Sequence, residues 1–340
     1  MDPAVSVIIP AYNTQAYIGT AIASVLGQQY TDFEIIVVDD ASTDGTAETV
    51  RAIDDPRLRL IRLPVNAGAA VARNRALSEA RGRWIALLDS DDWYDATRLA
   101  TLVERAERAE ADLYADDILL VRDGESAPWS SLRRESGQTI TGPFMVDAET
   151  FVTTDIYDKR CLRLGLSKPL MRRSFLEQHG LRYDPALRMG QDFWLYLECL
   201  LRGGRFIVDP EGYYYYRSRP DSLVKQSQDS RLELYCRAAS AFLARPEVQA
   251  RPCLADAIRR NLRLFKRSRA YYRVVEPIKR RQYGPAMLAA IANPMFFVYS
   301  CSRMPGAIAR RICANLRDKA PAAAAGALST GKNIDNRGIK

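Results

Sequence analysis

Histidine occurs once in 340 residues, as His179 in Leu176-Glu177-Gln178-His179-Gly180, where a helix should end at glycine. A histidine there is a partner for the helix C-terminus, so any proton abstraction falls to a carboxylate. The six cysteines, at 161, 199, 236, 253, 301 and 313, form no C-x-x-C pair, and none precedes residue 161. This argues against a zinc site or a disulfide framework and fits reduced thiols in a cytoplasm. No G-x-G-x-x-G follows the first apolar segment, which weakens a dinucleotide-dependent oxidoreductase. The start, Met1-Asp2-Pro3-Ala4, has no basic stretch ahead of the first strand, so no secretory signal is expected. Long apolar runs are missing too: the region from Pro285 to Cys301 is interrupted by Asn293 and Pro294. It is short for a membrane span, which needs about 20 apolar residues.

A hydrophobic content of 47% in a chain this long is enough for a full α/β core, read as one catalytic domain plus an appendage. Val5-Ser6-Val7-Ile8-Ile9-Pro10-Ala11-Tyr12-Asn13 has the form of a buried strand running into a polar loop. Phe33 to Asp40 repeats that form before the turn-rich stretch Ala41 to Thr46. Between them, Ile18, Ile22, Val25 and Leu26 fall at helical spacing. Further helices are expected over about 46–53 and 68–80, with a strand over 58–63 between them. Such alternation predicts a doubly wound, mostly parallel sheet with ligands outside the carboxyl ends of its strands, where Tyr12, Asp40 and Asp91 would converge. The most informative stretch is Trp84-Ile85-Ala86-Leu87-Leu88-Asp89-Ser90-Asp91-Asp92-Trp93, an apolar strand ending in three carboxylates. Oxygen-only ligands suit a hard divalent cation that also meets substrate phosphates, so the run reads as a nucleotide-diphosphate site. A cap by Asp92 or Asp95 on a helix over about 96–109 explains one carboxylate, not three.

The set SVIIPAYN, VVDDASTDGT, the segment from Asn66 to Leu77 and LLDSDDW resembles the family 2 glycosyltransferases, whose fold is of the GT-A type. The likeness continues through Lys168 to Arg173, Gly190-Gln191-Asp192 and Tyr215-Tyr216-Arg217-Ser218-Arg219, and covers roughly residues 4–225. Within the family it is nearest to bacterial exopolysaccharide transferases of the succinoglycan type. The resemblance implies an inverting, metal-dependent transfer of a hexose, glucose favoured, from a UDP-sugar to a saccharide or polyprenyl-diphosphate-linked acceptor. A catalytically silent sugar-nucleotide-binding scaffold is the alternative, and intact Asp91, Asp92 and Asp192 argue against it.

The resemblance also implies roles. Asp92 would be the direct ligand of Mg²⁺ or Mn²⁺, with Asp91 on the ribose or in the same cluster and Asp89 in support. Tyr12 would stack on uracil, Asp40 would accept the uracil imide N–H, and Pro10 and Ala11 would offer backbone contacts. Asn13, Asn66 and Arg73 complete the nucleotide-sugar side, with Arg217 on the diphosphate because its fork matches phosphate geometry. Asp192 matches the general base, although Gln191 stands where the family usually has Glu. Trp194 and Glu198 would face either the acceptor or the core, and the Lys168 segment would lie beneath the acceptor site.

The net charge of +8 is concentrated at 259–281, where ten Arg and Lys residues are interleaved with Tyr271 and Tyr272. Such a segment suits an anionic membrane surface; no nucleic-acid module accompanies it. The expected organisation is a GT-A catalytic domain over 1–225, a basic helical appendage over 226–318 and a disordered tail over 319–340. The expected location is cytoplasmic, peripheral on the inner face of the plasma membrane.

Overall fold

The structure is a computed structural model that describes residues 2–157, 160–219, 228–293 and 296. It begins with three strand–helix units: β1 (Val5–Ala11), α1 (Ile18–Leu26), β2 (Phe33–Asp39), α2 (Thr46–Arg51), β3 (Leu58–Arg62) and α3 (Ala69–Glu79). β4 (Trp84–Leu87), β5 (Trp93–Tyr94) and α4 (Arg98–Arg108) follow, then the long β6 (Leu113–Arg122), β7 (Ser130–Ser131), α5 (Leu132–Ser136), β8 (Phe144–Val146) and α6 (Ala148–Thr153). After β9 (Leu170–Arg172) and α7 (Arg173–Gln178) come α8 (Gln191–Leu201) and β10 (Phe206–Ser218). The last helices are α9 (Gln228–Leu243), α10 (Pro246–Gln249), α11 (Pro252–Lys279) and α12 (Tyr283–Ile291).

Among the described residues ten strands make one sheet, in the order β3-β2-β1-β4-β9-β6-β10-β5, with β7 beside β6 and β8 beside β10. β1 is buried almost throughout, and β2 and β4 entirely, as expected for parallel strands covered on both faces. Their parallel registers, Ala11 with Asp39 and Ile8 with Leu87, bring Tyr12, Asp40 and Asp89 out at one carboxyl edge. The chain reverses its build-out between β1 and β4, the switch point at which such sheets hold ligands.

Beyond β4 the sheet becomes mixed. β9 runs antiparallel to both β4 and β6, whereas β10 is parallel to β6. The two-residue β5 returns antiparallel to β10, pairing Trp93 with Tyr215 and Tyr94 with Tyr214. This small pairing sets the end of β10 against the Asp89–Asp92 turn. Arg98 anchors the region from within: it is fully buried, its fork meets Asp116 at 2.7 and 3.1 Å, and its Nη2 donates to the Lys168 carbonyl at 2.6 Å. Neither Asp92 nor Asp95 caps α4: its N-cap is Thr97, which makes no side-chain cap, while Asp95 Oδ1 accepts the Thr97 N–H at 2.9 Å in the turn before the helix.

The chain divides into two compact units, the first from Met1 to Arg269 and the second beginning at Ala270. The expected boundary at 225/226 therefore falls inside the first unit. There Phe242 of α9 packs on Trp194 with ring centroids 4.7 Å apart, Arg245 pairs with Glu198, and Asn261 donates to the Val152 carbonyl at 3.3 Å. The tail expected over 319–340 lies outside the described residues, as does most of 294–301.

Candidate active site

The nucleotide side of the edge is built from loops tied by their own polar groups. Asn13, at φ 51°, donates its N–H to Ser42 Oγ at 3.0 Å and accepts the Thr43 N–H at 2.8 Å, stitching the loops after β1 and β2 together. Tyr12 beside it is 44% exposed, which leaves a ring face free to stack. Pro10 is half-buried, and the Ala11 carbonyl accepts the Asp40 N–H at 2.8 Å. Asp40 is buried, and its two carboxylate oxygens accept the N–H groups of Ala67 and Gly68, each at 2.7 Å. Asn66 donates to the Asp40 carbonyl at 3.4 Å. Asp40 thus shapes the loop after β3, and one lone pair per oxygen remains for a base N–H. Gly68 sits at φ 94°, a backbone conformation that favours glycine, with the Arg188 side chain packed close over it.

Four charged side chains form a closed, nearly buried ring at the centre of the site. Arg73 meets Asp89 at 2.7 Å and Asp192 at 3.2 Å; Lys168 meets Asp192 at 2.7 Å and Asp89 at 3.1 Å. Two cations balance two carboxylates, which is what makes so many buried charges tolerable. Burial by itself would push the Asp89 carboxyl up, but Lys168 and Arg73 hold it well below the usual carboxylate range. Burial would likewise lower Lys168, yet Asp192 and Asp89 raise it and keep it charged. Arg73, expected near base and phosphates, bridges the two carboxylates from a buried position. Asp192 lies in the first turn of α8 behind Gly190, which occupies the N-cap at φ 71°, so the aspartate is not itself the cap. Its Oδ1 faces Arg73 Nη1 with the buried Tyr183 hydroxyl close to the carboxylate, and none of the contacts to Oδ1 is a well-directed hydrogen bond.

The second corner is the turn itself with the end of β10. Asp92 is 1% exposed; its Oδ2 accepts the Tyr214 hydroxyl at 2.7 Å and its Oδ1 the Arg217 N–H at 2.8 Å. Burial, with Asp91 and Asp89 close by, pushes its carboxyl well above the usual range. Asp91 is partly buried, its side chain 19% exposed, and meets Arg219 Nε at 2.7 Å; burial and the charge of Asp89 push it up as well. Arg217 is packed over Trp93 at 4.7 Å and Tyr17 at 5.2 Å, with its Nε donating to the Asp91 carbonyl at 2.9 Å. Arg219 also lies over Tyr17, at 4.9 Å.

Among the described residues no group of three or more His, Cys, Asp or Glu is placed to hold a metal ion. Magnesium does not require one, because one or two carboxylates plus substrate phosphates suffice. The corner fits such an ion: Asp91, its side chain 19% exposed, meets only the Arg219 guanidinium, whereas Asp89, 26% exposed, already meets two cations. Asp92 is sealed by β10, and Asp89 is saturated by the ring.

Other expectations resolve plainly. Trp194 and Glu198 belong to the packing of α8 on Phe242 and Arg245. His179 closes α7 with its ring 4.6 Å from Phe175. The contacts that sequence reasoning missed are those of Tyr214, one of four consecutive tyrosines, and of the isolated Tyr17, neither with a distinguishing signal of its own.

A parallel half-sheet with an Asp-x-Asp-Asp turn at its carboxyl edge, faced by a carboxylate from a later helix, defines a GT-A glycosyltransferase. The chain belongs to glycosyl transferase family 2, whose sequence signature spans residues 6–162. It is 36% identical over 293 residues to the succinoglycan biosynthesis protein ExoO of Rhizobium meliloti (strain 1021), covering 86% of this chain and 82% of that protein. Over 98 residues, 29% of this chain and 39% of the relative, it is 46% identical to WfgD of Escherichia coli, named a UDP-Glc:alpha-D-GlcNAc-diphosphoundecaprenol beta-1,3-glucosyltransferase. The crystal structure of S. aureus TarS 1-349 in complex with UDP-GlcNAc superposes with a TM-score of 0.61 at 19% identity, covering 85% of this chain and 90% of that one; this likeness speaks to the fold.

Proposed function

We propose that the enzyme transfers a hexose, glucose favoured, from a UDP-sugar to a saccharide acceptor carried on a polyprenyl diphosphate, with inversion, during exopolysaccharide synthesis. The observation that carries this reading is the placement of Asp192, a carboxylate from the first turn of α8 held by Arg73 and Lys168 beside the Asp89–Asp92 turn, with Oδ1 lacking a directed hydrogen bond. An acceptor hydroxyl that donates to Oδ1 gives up its proton there, and its oxygen attacks the anomeric carbon opposite the departing UDP. A single displacement of this kind inverts the centre. Tyr12 and Asp40 would receive the uracil, Asn13 and Asn66 would hold the loops around it, and Arg217 and Arg219 would meet the diphosphate. Asp91 would hold Mg²⁺ or Mn²⁺, supported by Asp92 and Asp89, and that ion would supply neutralisation of the leaving diphosphate. The donor reading is supported by what WfgD and the TarS complex are named for, and the lipid-linked acceptor by the name of WfgD. An acceptor of this kind would bring the enzyme to the inner face of the plasma membrane from the cytoplasm.

The test is acceptor-free hydrolysis of a panel of UDP- and GDP-sugars with Mn²⁺, with Mg²⁺ and with chelator. Turnover of UDP-glucose that stops in chelator is expected. Preference for a GDP-sugar, or turnover indifferent to chelator, overturns the donor or the metal assignment; no hydrolysis of any donor would favour the silent scaffold.

A further inference from the structure

Helix α12 carries its largest side chains outward. Tyr283, Met287 and Ile291, one helical turn apart on one face, are 67%, 61% and 71% exposed, and Leu288 beside them is 67% exposed. The residue turned inward is Ala286, at 4%. A soluble surface rarely gathers four large apolar groups on nine residues unless something covers them. Directly ahead lie Lys279, Arg280 and Arg281, all exposed, with Ile278 also exposed beside them and Arg273 exposed a turn and a half earlier. From Pro277 to Asn293 there is no acidic residue.

We propose that this face docks on an anionic phospholipid bilayer, with Tyr283, Met287, Leu288 and Ile291 entering the headgroup–acyl boundary and Lys279, Arg280 and Arg281 meeting lipid phosphates. The inference deepens the reading of a lipid-linked acceptor and rests on it. Charge complementarity selects the occupant: a partner for this face must be apolar at its centre and negative at its rim, and an anionic bilayer offers both over any contact area. A tyrosine at one end of the stripe suits the same boundary. The helix lies on the surface rather than crossing it. At nine residues it is about 14 Å long, against a hydrocarbon core of about 30 Å, and no helix of the described residues is long and apolar enough to span.

The experiment is flotation of the full chain with phosphatidylglycerol vesicles and with phosphatidylcholine vesicles at low salt, alongside hydrolysis of a soluble donor. The wild type should float with the anionic vesicles and be released by high salt. Replacing Lys279, Arg280 and Arg281 together by Gln should weaken partitioning about a hundredfold, since each basic residue near an anionic surface contributes about fivefold. The pair Met287→Asp and Leu288→Asp should abolish it at any salt. Donor hydrolysis should persist in both variants, showing that the fold is intact and separating this proposal from the catalytic one. The proposal falls if the wild type ignores anionic vesicles or if both variants float as well as it does. It falls equally if the face instead makes a dimer, seen as a concentration-dependent mass that Met287→Asp removes.

Discussion

Two groups of charges share the carboxyl edge of the sheet, joined through Asp89 and Asp91, and they are compensated in opposite ways. In the ring of Arg73, Asp89, Lys168 and Asp192 each carboxylate meets two cations and each cation two carboxylates. In the corner of Asp91, Asp92, Arg217 and Arg219, one guanidinium meets one carboxylate, and both acids are pushed above their ordinary range. A balanced, buried ring is a device for holding groups still, because moving any member exposes an unpaired charge. An under-compensated corner is where an incoming cation or the charge of a departing diphosphate changes most. The same residue type, aspartate, is therefore held fully paired in one place and left short of cations in the other.

The largest effect should come from the ring. Asp192→Asn keeps shape but cannot accept a proton, so kcat should fall by about 10²–10⁴ while UDP affinity stays near wild type. The variant leaves Arg73 and Lys168 facing Asp89 alone, so Tm should drop, and rates belong well below that Tm. A transfer rate within a few fold of wild type would remove Asp192 as the base. Next in size, Lys168→Met should cost about 3–5 kcal/mol of stability by leaving two carboxylates to one buried guanidinium, a loss read from chemical denaturation. Transfer should fall with it, and Lys168→Arg should restore part of both; a stable, fully active Lys168→Met would break the contrast between ring and corner.

The corner is sharpened by comparing neighbours. Asp91→Asn should weaken metal-dependent UDP binding by about ten- to a hundredfold, the size of a lost charge-assisted contact, and blunt sensitivity to chelator. Asp92→Asn can still accept the Arg217 N–H and pair with the Tyr214 hydroxyl while losing a costly buried charge. Its binding should stay within about threefold of wild type in calorimetry. The reverse ranking would return the metal to Asp92.

The smallest effect lies outside both groups. Burial pushes the Asp155 carboxyl from 3.8 up to about 6, while its Oδ2 accepts the Gly165 N–H at 2.7 Å. A raised carboxyl binds its proton more tightly when folded. Its contribution is thus complete below about pH 4 and lost as pH rises through about 6. Asp155→Asn should therefore raise Tm by a few degrees at pH 7.5, with the gain shrinking toward pH 4 in thermal scans. A constant difference across that range would rule out titration of Asp155 as its cause.

Much of the edge was legible because local rules wrote it. Continuous apolar runs over β1, β2 and β4 specify parallel strands buried on both faces, and the polar turns after them mark the site. Asp192 was legible from its place behind Gly190 and Gln191 in a family pattern. Arg73 was not: α3 is rich in alanine and has little amphipathic contrast, so nothing local says that its arginine points inward. Nor could Asp91 and Asp92 be told apart, since adjacent residues of one type differ only in what packs over them.

By itself, then, the sequence determined the strand–helix alternation, the carboxyl edge, the family and the acids that could act, because each rests on contacts between near neighbours or on one contiguous motif. The tertiary structure alone decided which acid is sealed and which is open. It did so through pairings that cross more than ninety residues, such as Tyr214 with Asp92 and Arg73 with Asp192. Such partners are chosen by the fit of the whole sheet, where the two-residue β5 docks on β10 and β9 delivers Lys168. No local pattern encodes a distance that only the completed sheet defines.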